Sequence, residues 1–418
     1  MERFNPWWRG EPDPFYELWS KLPVKWTPEE MDAVSLRPFS LNFLSGPRQV
    51  GKTTLIRLLI HEILKRSDGR SVLYLPCDEV ADFRELSEII DSYLRARSSW
   101  GLRPSYIFLD EVTFVEDWWR PVKARIDDGS LKGDVLTVTG SARLDLLQQR
   151  EMFPGRRGGG SDVVLRPLGF RAYVRALSGL NPATFDSLYG AQAAIDANAI
   201  HDETLSRRFS DYLSTGGFPL AIRELVRDGR VGDESRKALL DGLRGDWLRL
   251  GRSDGYMKEV IRYLVEARGT PVSWLSISKA TSLGSPHTAQ SYVEALVGLM
   301  AVLPLSFLGA DGRAVPRKNR KLHFLDPLIY NTLASYAGSK ADEAAIVEGT
   351  VAAHLARGRE VFHWRDGGEV DMIAVEGGRQ VGVEVKWGFK KGLKPRHLSS
   401  LYLSLDRRTV PLFLASLP

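Results

Sequence analysis

Cysteine is nearly missing from this 418-residue sequence, where Cys77 stands alone. An intramolecular disulfide is therefore excluded, as expected of a chain kept in a reducing compartment. Long apolar runs are missing too. The longest uncharged stretch of note, residues 295–310, is shorter than the ~20 residues a membrane helix needs, and Pro304 interrupts it. Residues 1–8 hold no apolar signal core. These absences predict a cytoplasmic protein with no membrane partner. No internal repeat or low-complexity tract is found, which argues against a solenoid. An excess of either charge is missing from residues 1–310, which hold 40 Lys+Arg and 40 Asp+Glu. Residues 311–418 hold 17 and 12, so the whole formal excess of +5 sits there. A basic end on a neutral body suggests a polyanionic partner at that end.

What is present is a rhythm. At about 150 residues per domain the length allows roughly two to four domains. From residue 40, short apolar runs at 40–44, 71–75, 106–109, 135–139 and 163–165 alternate with segments long enough for helices. That alternation predicts an α/β fold with a parallel sheet. Before it, residues 1–38 read as an irregular lead-in with one helix starting near Thr27-Pro28-Glu29-Glu30. After Phe170 the pattern is helical. Two helices at 276–281 and 285–299 have helix-turn-helix spacing, and strands at 302–307 and 321–324 flank a loop that reads as a β-wing. Residues 340–418 read helix, three strands, helix, strand.

The strongest motif is Gly46-Pro47-Arg48-Gln49-Val50-Gly51-Lys52-Thr53, followed by Thr54. It fits the phosphate-binding loop G-x-x-x-x-G-K-T, and it stands between a strand and a helix, as that motif requires. Its glycines let the backbone curl round phosphate oxygens at a helix N-terminus. Lys52 is expected on the β- and γ-phosphates of ATP and the Thr53 hydroxyl on Mg²⁺. The strand at 106–109 delivers Asp110 to the magnesium shell and Glu111 to the attacking water. A polar group ending the strand at 135–139 would sense the γ-phosphate; Ser141 is the candidate, with Thr139 as the alternate. Arg143, Arg156 and Arg157 follow, and Arg156 or Arg157 is the candidate arginine finger, in cis or from a neighbouring subunit. An extra strand before Asp110, with Glu111 beside it, resembles the AAA+ superfamily.

Four residues near the end form a second constellation: Glu348 on a helix, Asp371 at the start of a strand, and Glu384 and Lys386 on another. Residues i and i+2 of a strand share a face, so Glu384 and Lys386 point together. The pattern E…D-x12-E-x-K is similar to the active site of PD-(D/E)XK nucleases. That resemblance implies metal on Asp371 and Glu384 and nucleophile assistance from Lys386. The chain from about residue 35 onward resembles archaeal and bacterial AAA+ ATPases that join these parts. Pro167-Leu168-Gly169-Phe170, Tyr212-Leu213 and Gly216-Gly217-Phe218-Pro219 also carry the likeness. After the lead-in at 1–38, it implies a P-loop AAA+ core at 39–175, a helical lid at 176–255, a winged helix at 256–335 and an α/β PD-(D/E)XK-like domain at 336–418.

DNA is the expected partner, branched or single-stranded. His287, Thr288, Gln290 and Ser291 would face it from the second helix, with Arg313, Arg317, Lys318, Arg320 and Lys321 on the wing and Lys390 and Lys391 beyond the last constellation. The sequence thus reads as a Mg-dependent, DNA-processing ATPase with a nuclease-like end. The alternative is a non-nucleolytic DNA-binding or protein-binding ATP switch. Monomer and homo-oligomer both stay open.

Overall fold

In the computed structural model, which describes residues 1–140, 151–309, 311–365, 369–388 and 401–418, the alternating runs of the first part become a parallel sheet. Its strands are β1 (Ser40–Ser45), β2 (Val72–Pro76), β3 (Tyr106–Asp110), β4 (Val135–Gly140) and β5 (Asp162–Val164). They lie in the order β2-β3-β4-β1-β5, with every pair parallel. Strand β4 therefore sits between the strand that feeds the phosphate loop and the strand that ends in Asp110. Alternate residues face opposite sides, and both sides are covered. Leu41, Phe43, Leu73, Leu75, Ile107 and Leu109 pack with α3 (Phe83–Ser99) and α4 (Trp119–Asp127). Leu44, Val72, Tyr74 and Phe108 pack with α2 (Lys52–Leu64). Burial on both faces is why these strands read as continuous apolar runs.

The lead-in differs from expectation. Its α-helix is α1 (Pro14–Ser20), where Asp13 accepts from the Phe15 amide at 3.0 Å and Pro14 holds the first position. The segment after Thr27 makes only a 3-10 turn, Glu29–Ala33. Asn42 explains why it stops: its side chain accepts from Ser35 N and donates to Ser35 O, drawing the chain out alongside β1. Earlier still, Asn5 covers the edge strand β2. It accepts from Tyr74 N at 2.6 Å and donates to Tyr74 O at 3.0 Å, while the Trp7 and Trp8 indoles donate to Val72 O. A bare edge invites pairing with other chains, and these side chains occupy it.

The chain divides into two units, Met1–Arg166 and Pro167–Pro418. The second opens with helices α5 (Phe170–Ser178), α6 (Ala191–Asn198), α7 (Asp202–Thr215), α8 (Pro219–Asp228), α9 (Asp233–Arg249) and α10 (Asp254–Ala267). Between α7 and α8, Gly216 has φ +51°, and a Cβ on it would lie 1.7 Å from Asp326 Oδ1. Only glycine fits there. Next come α11 (Trp274–Ala280), capped by Ser273, and α12 (Pro286–Gly298), capped by Ser285. Strands β6 (Val302–Phe307) and β7 (Lys321–Phe324) pair antiparallel as a hairpin. The helices α13 (Pro327–Ala337) and α14 (Glu343–Leu355) lead to β8 (Glu360–Arg365), β9 (Glu369–Glu376), β10 (Arg379–Lys386), β11 (Tyr402–Asp406) and α15 (Thr409–Ser416).

The hairpin is not separate from these last strands. Its β6 also pairs parallel with β8, giving one six-stranded sheet in the order β11-β10-β9-β8-β6-β7. The sheet thus runs across residue 335, where the sequence placed a boundary. The expected terminal strand is also corrected, because the chain closes on helix α15. Its residues 410–416 are all buried. A helix apolar all round shows no amphipathic period and reads like a strand.

Candidate functional site

The phosphate loop sits at the C-terminal end of β1 and runs into α2. Gly46 lies so close to the chain leaving β5 that a Cβ would meet Leu165 O at 2.4 Å. Gln49 and Gly51 take positive φ, 63° and 105°, which turns the loop back on itself. The first turn of α2 has no side-chain cap, leaving the loop's amides to a ligand. Lys52 is buried, with Nζ 3.2 Å from Gly46 O and 3.3 Å from Pro47 O, so it lies across the mouth of the loop.

Asp110 arrives buried at the end of β3 and accepts three hydroxyls. Thr53 Oγ1 and Tyr74 OH donate to Oδ2 at 2.7 and 2.9 Å, and Thr139 Oγ1 donates to Oδ1 at 2.6 Å. Burial, and then the charge of Asp110, pushes the Tyr74 phenol well above its ordinary range, so it stays a donor. Glu111 stands in the left-handed region at φ 55°, unusual for a glutamate, and its amide donates to Thr139 Oγ1 at 2.8 Å. Its carboxylate faces the loop, with Oε1 3.3 Å from Lys52 Nζ and Oε2 3.9 Å from Arg48 Nη1. The Oε2 atom is buried and accepts no hydrogen bond.

Lys52, Thr53, Asp110, Glu111 and the alternate sensor Thr139 therefore come together. Ser141 and Arg143 lie outside the described residues. Tyr74 was missed because nothing local marks it; only the pairing of β2 with β3 sets it beside Asp110. Arg156 and Arg157 stand elsewhere. Gly158 bridges Ser40 and Leu41 N donates to Arg157 O, so this loop borders the N-terminal start of β1, the opposite end from the phosphate loop. Arg156 pairs with Asp127, and Arg157 pairs with Asp162 at 2.8 Å and lies over the Phe43 ring. The expectation of a cis finger from Arg156 is corrected by that placement.

The terminal constellation is rearranged by one residue. Lys321, expected among the DNA-facing cations, is 1% exposed and sets Nζ 2.9 Å from Glu348 Oε1 and 3.2 Å from Asp371 Oδ1. It begins β7, and in a strand it shares a face with His323, whose Nε2 is 3.7 Å from Glu348 Oε1. The spacing Lys-Leu-His was the available signal. Asp371 Oδ2 accepts from Val385 N at 3.0 Å. Burial, and then the Glu348 charge, raises the Asp371 carboxyl above its usual range. Glu384 and Lys386 follow on β10, half-buried.

Among the described residues, no three His, Cys, Asp or Glu side chains gather to hold a metal. The Lys321 ammonium lies between Glu348 and Asp371, so the predicted ligand Asp371 is already held by a cation.

On the helix-turn-helix, His287 is exposed. Thr288 is half-buried, and its amide and hydroxyl meet the Ser285 cap; Gln290 donates to Glu294 at 2.7 Å. Arg313, Arg317 and Lys318 are exposed, whereas Arg320 lies over the Trp274 ring. Lys390 and Lys391 lie outside the described residues.

A buried histidine makes stability in the second unit depend on pH. His354 Nε2 accepts from Phe170 N at 2.9 Å and Nδ1 bonds Thr350 O at 2.7 Å, so the ring is neutral. Burial, and then Arg357, lowers it to about 3. The unfolded chain takes up a proton near the ordinary 6.5 and the folded chain does not, so stability is lost as pH falls from about 6.5 toward about 3. We expect the stability gap between wild type and His354→Gln to shrink by up to ~1.4 kcal/mol per pH unit on acidification through that window. Urea unfolding at several pH values reads it, and a constant gap would refute a neutral His354.

Residues 39–174 match the AAA domain family, and residues 206–340 match a domain of unknown function (DUF8612). No curated protein matches the chain. Similar solved structures include the Aeropyrum pernix ORC2 protein in ADPNP–ADP complexes, at 13% identity over 72% of this chain and 89% of that one, with TM-score 0.38. The Aeropyrum pernix ORC1 protein in complex with DNA gives 17% over 71% and 86%, with TM-score 0.33. The Thermotoga maritima RuvB Holliday junction branch migration motor gives 15% over 75% and 91%, with TM-score 0.28. The residues that match the AAA domain family, 39–174, hold the parallel sheet, which is like that of P-loop AAA+ ATPases.

Proposed function

We propose that this chain is a Mg-dependent ATPase that binds DNA through its helix-turn-helix and hairpin and does not cut it. The observation that carries the ATPase reading is Glu111: a buried carboxylate oxygen without a hydrogen bond, at the mouth of a phosphate loop and beside Lys52. A group left so is placed for a ligand or a water. The loop amides and Lys52 would hold the phosphates. Thr53 and Asp110 would hold the magnesium, two oxygen donors suited to a hard cation, which when bound neutralises phosphate charge. Glu111 takes the proton of the attacking water, and Thr139 fixes the Glu111 backbone.

For DNA, the support is the exposed trio Arg313, Arg317 and Lys318 on the loop between β6 and β7, with His287 exposed at the start of α12. The position of Lys321 favours the non-nucleolytic reading, because a fixed ammonium already compensates the acids. The experiment joins an ATPase assay to DNA-binding titrations over a salt series. Removing the three loop cations together should lower the salt slope by about 2–3, since each phosphate that a cation neutralises is worth about 0.9. An unchanged slope would put the DNA elsewhere. Mg-dependent cleavage that disappears in Asp371→Ala would restore the nuclease reading.

A further inference from the structure

We propose that Arg48, inside the phosphate loop itself, is the catalytic arginine of this site: it holds Glu111 before nucleotide arrives and the γ-phosphate afterwards. The inference deepens the ATPase reading and rests on it. The two arginines marked by sequence stand at the wrong end of β1, paired with Asp127 and Asp162. Arg48 is on the right end. Its side chain is 17% exposed, its guanidinium lies over the Phe114 ring at 5.4 Å, and Nη1 is 3.9 Å from Glu111 Oε2. The ring face limits where a planar guanidinium can point.

Glu111 thus sits between two cations of one loop, Lys52 on Oε1 and Arg48 on Oε2. A carboxylate held between two cations is turned to them and away from a water. A triphosphate changes the balance, since its terminal oxygens carry more charge than the carboxylate and draw both cations. Glu111 is then released to the water. As the bond from the water oxygen to the γ-phosphorus forms, the bond from that phosphorus to the bridging oxygen breaks. The electron pair leaves on the β-phosphate, and the water's proton goes to Glu111. Arg48 lies where negative charge spreads over the γ-oxygens, the place where an arginine speeds phosphoryl transfer. With only a diphosphate bound, Arg48 has no γ-oxygen to meet and stays on Glu111.

The test compares wild type, Arg48→Ala and Arg48→Gln for binding of ADP and of the non-hydrolysable analogue AMP-PNP, with Mg²⁺, by calorimetry. We expect wild type to prefer AMP-PNP. Arg48→Ala should lose at least about tenfold of that preference while ADP affinity changes less than about threefold. Its kcat should fall about 10³-fold or more, with KM little changed. Arg48→Gln keeps the side-chain bulk and should behave as Arg48→Ala; it stands in should the alanine variant misfold. An equal loss of both ligands, or an unchanged preference and kcat, overturns the proposal. A wild type that binds neither nucleotide would instead overturn the ATPase reading itself, a result told apart by the unsubstituted protein alone.

Discussion

Glu111→Gln should leave ATP bound and slow its hydrolysis by about 10²–10⁴-fold, the usual worth of a positioned general base. The substitution keeps shape and removes charge. Backbone contacts of the residue, the amide on Thr139 and the left-handed turn after Asp110, are untouched by it. Lys52 loses its carboxylate partner at 3.3 Å and gains freedom to meet phosphate, so ATP affinity should hold or rise. Single-turnover hydrolysis with equilibrium nucleotide binding separates the two effects. Turnover near the wild-type rate would show that another group takes the proton.

The largest effect on stability should come from Lys321→Ala. Lys321 is fully buried and bonds Glu348 and Asp371 together. Without it two acids face each other beside His323, whose charged form is disfavoured by burial and then by Lys321 itself. Breaking a buried ion pair by removing one partner costs about 3–5 kcal/mol. Lys321→Met should cost nearly as much, which separates the effect of charge from that of volume. The double variant Lys321→Met with Glu348→Gln should recover part of the stability. Hydrogen exchange in β7 and β9 reads the effect locally, and a cost below about 1 kcal/mol would mean that the acids do not depend on this lysine.

Legibility in the sequence followed locality. The phosphate loop and the strand into Asp110 are contiguous motifs whose chemistry is fixed by neighbours in the chain, and both were readable. So was the parallel sheet, because strands buried on both faces leave unbroken apolar runs. Residues whose roles come from register were not readable. Tyr74 reaches Asp110 only because Pro76 pairs with Asp110 across the sheet. Lys321 looked like one more cation in a basic loop, yet one position separates the half-exposed Arg320 from the buried β7. Arg156 was misplaced for the same reason: a glycine-rich loop after β4 can lead to either end of the sheet, and its backbone bonds to Phe39 and Leu41 decide which. Helix α15 failed differently, since a wholly buried helix carries no amphipathic mark.

The strand β6 has a consequence for how the second unit can be divided. It gives residues 302–305 to the hairpin and 306–307 to β8. A polypeptide ending before β8 would keep α11 and α12 and lose the neighbour of that strand. The bared backbone would then offer itself to another copy. The α11–β7 part and the part from β8 onward are thus poor candidates for separate expression, and shuffling either into another protein would carry an open seam with it.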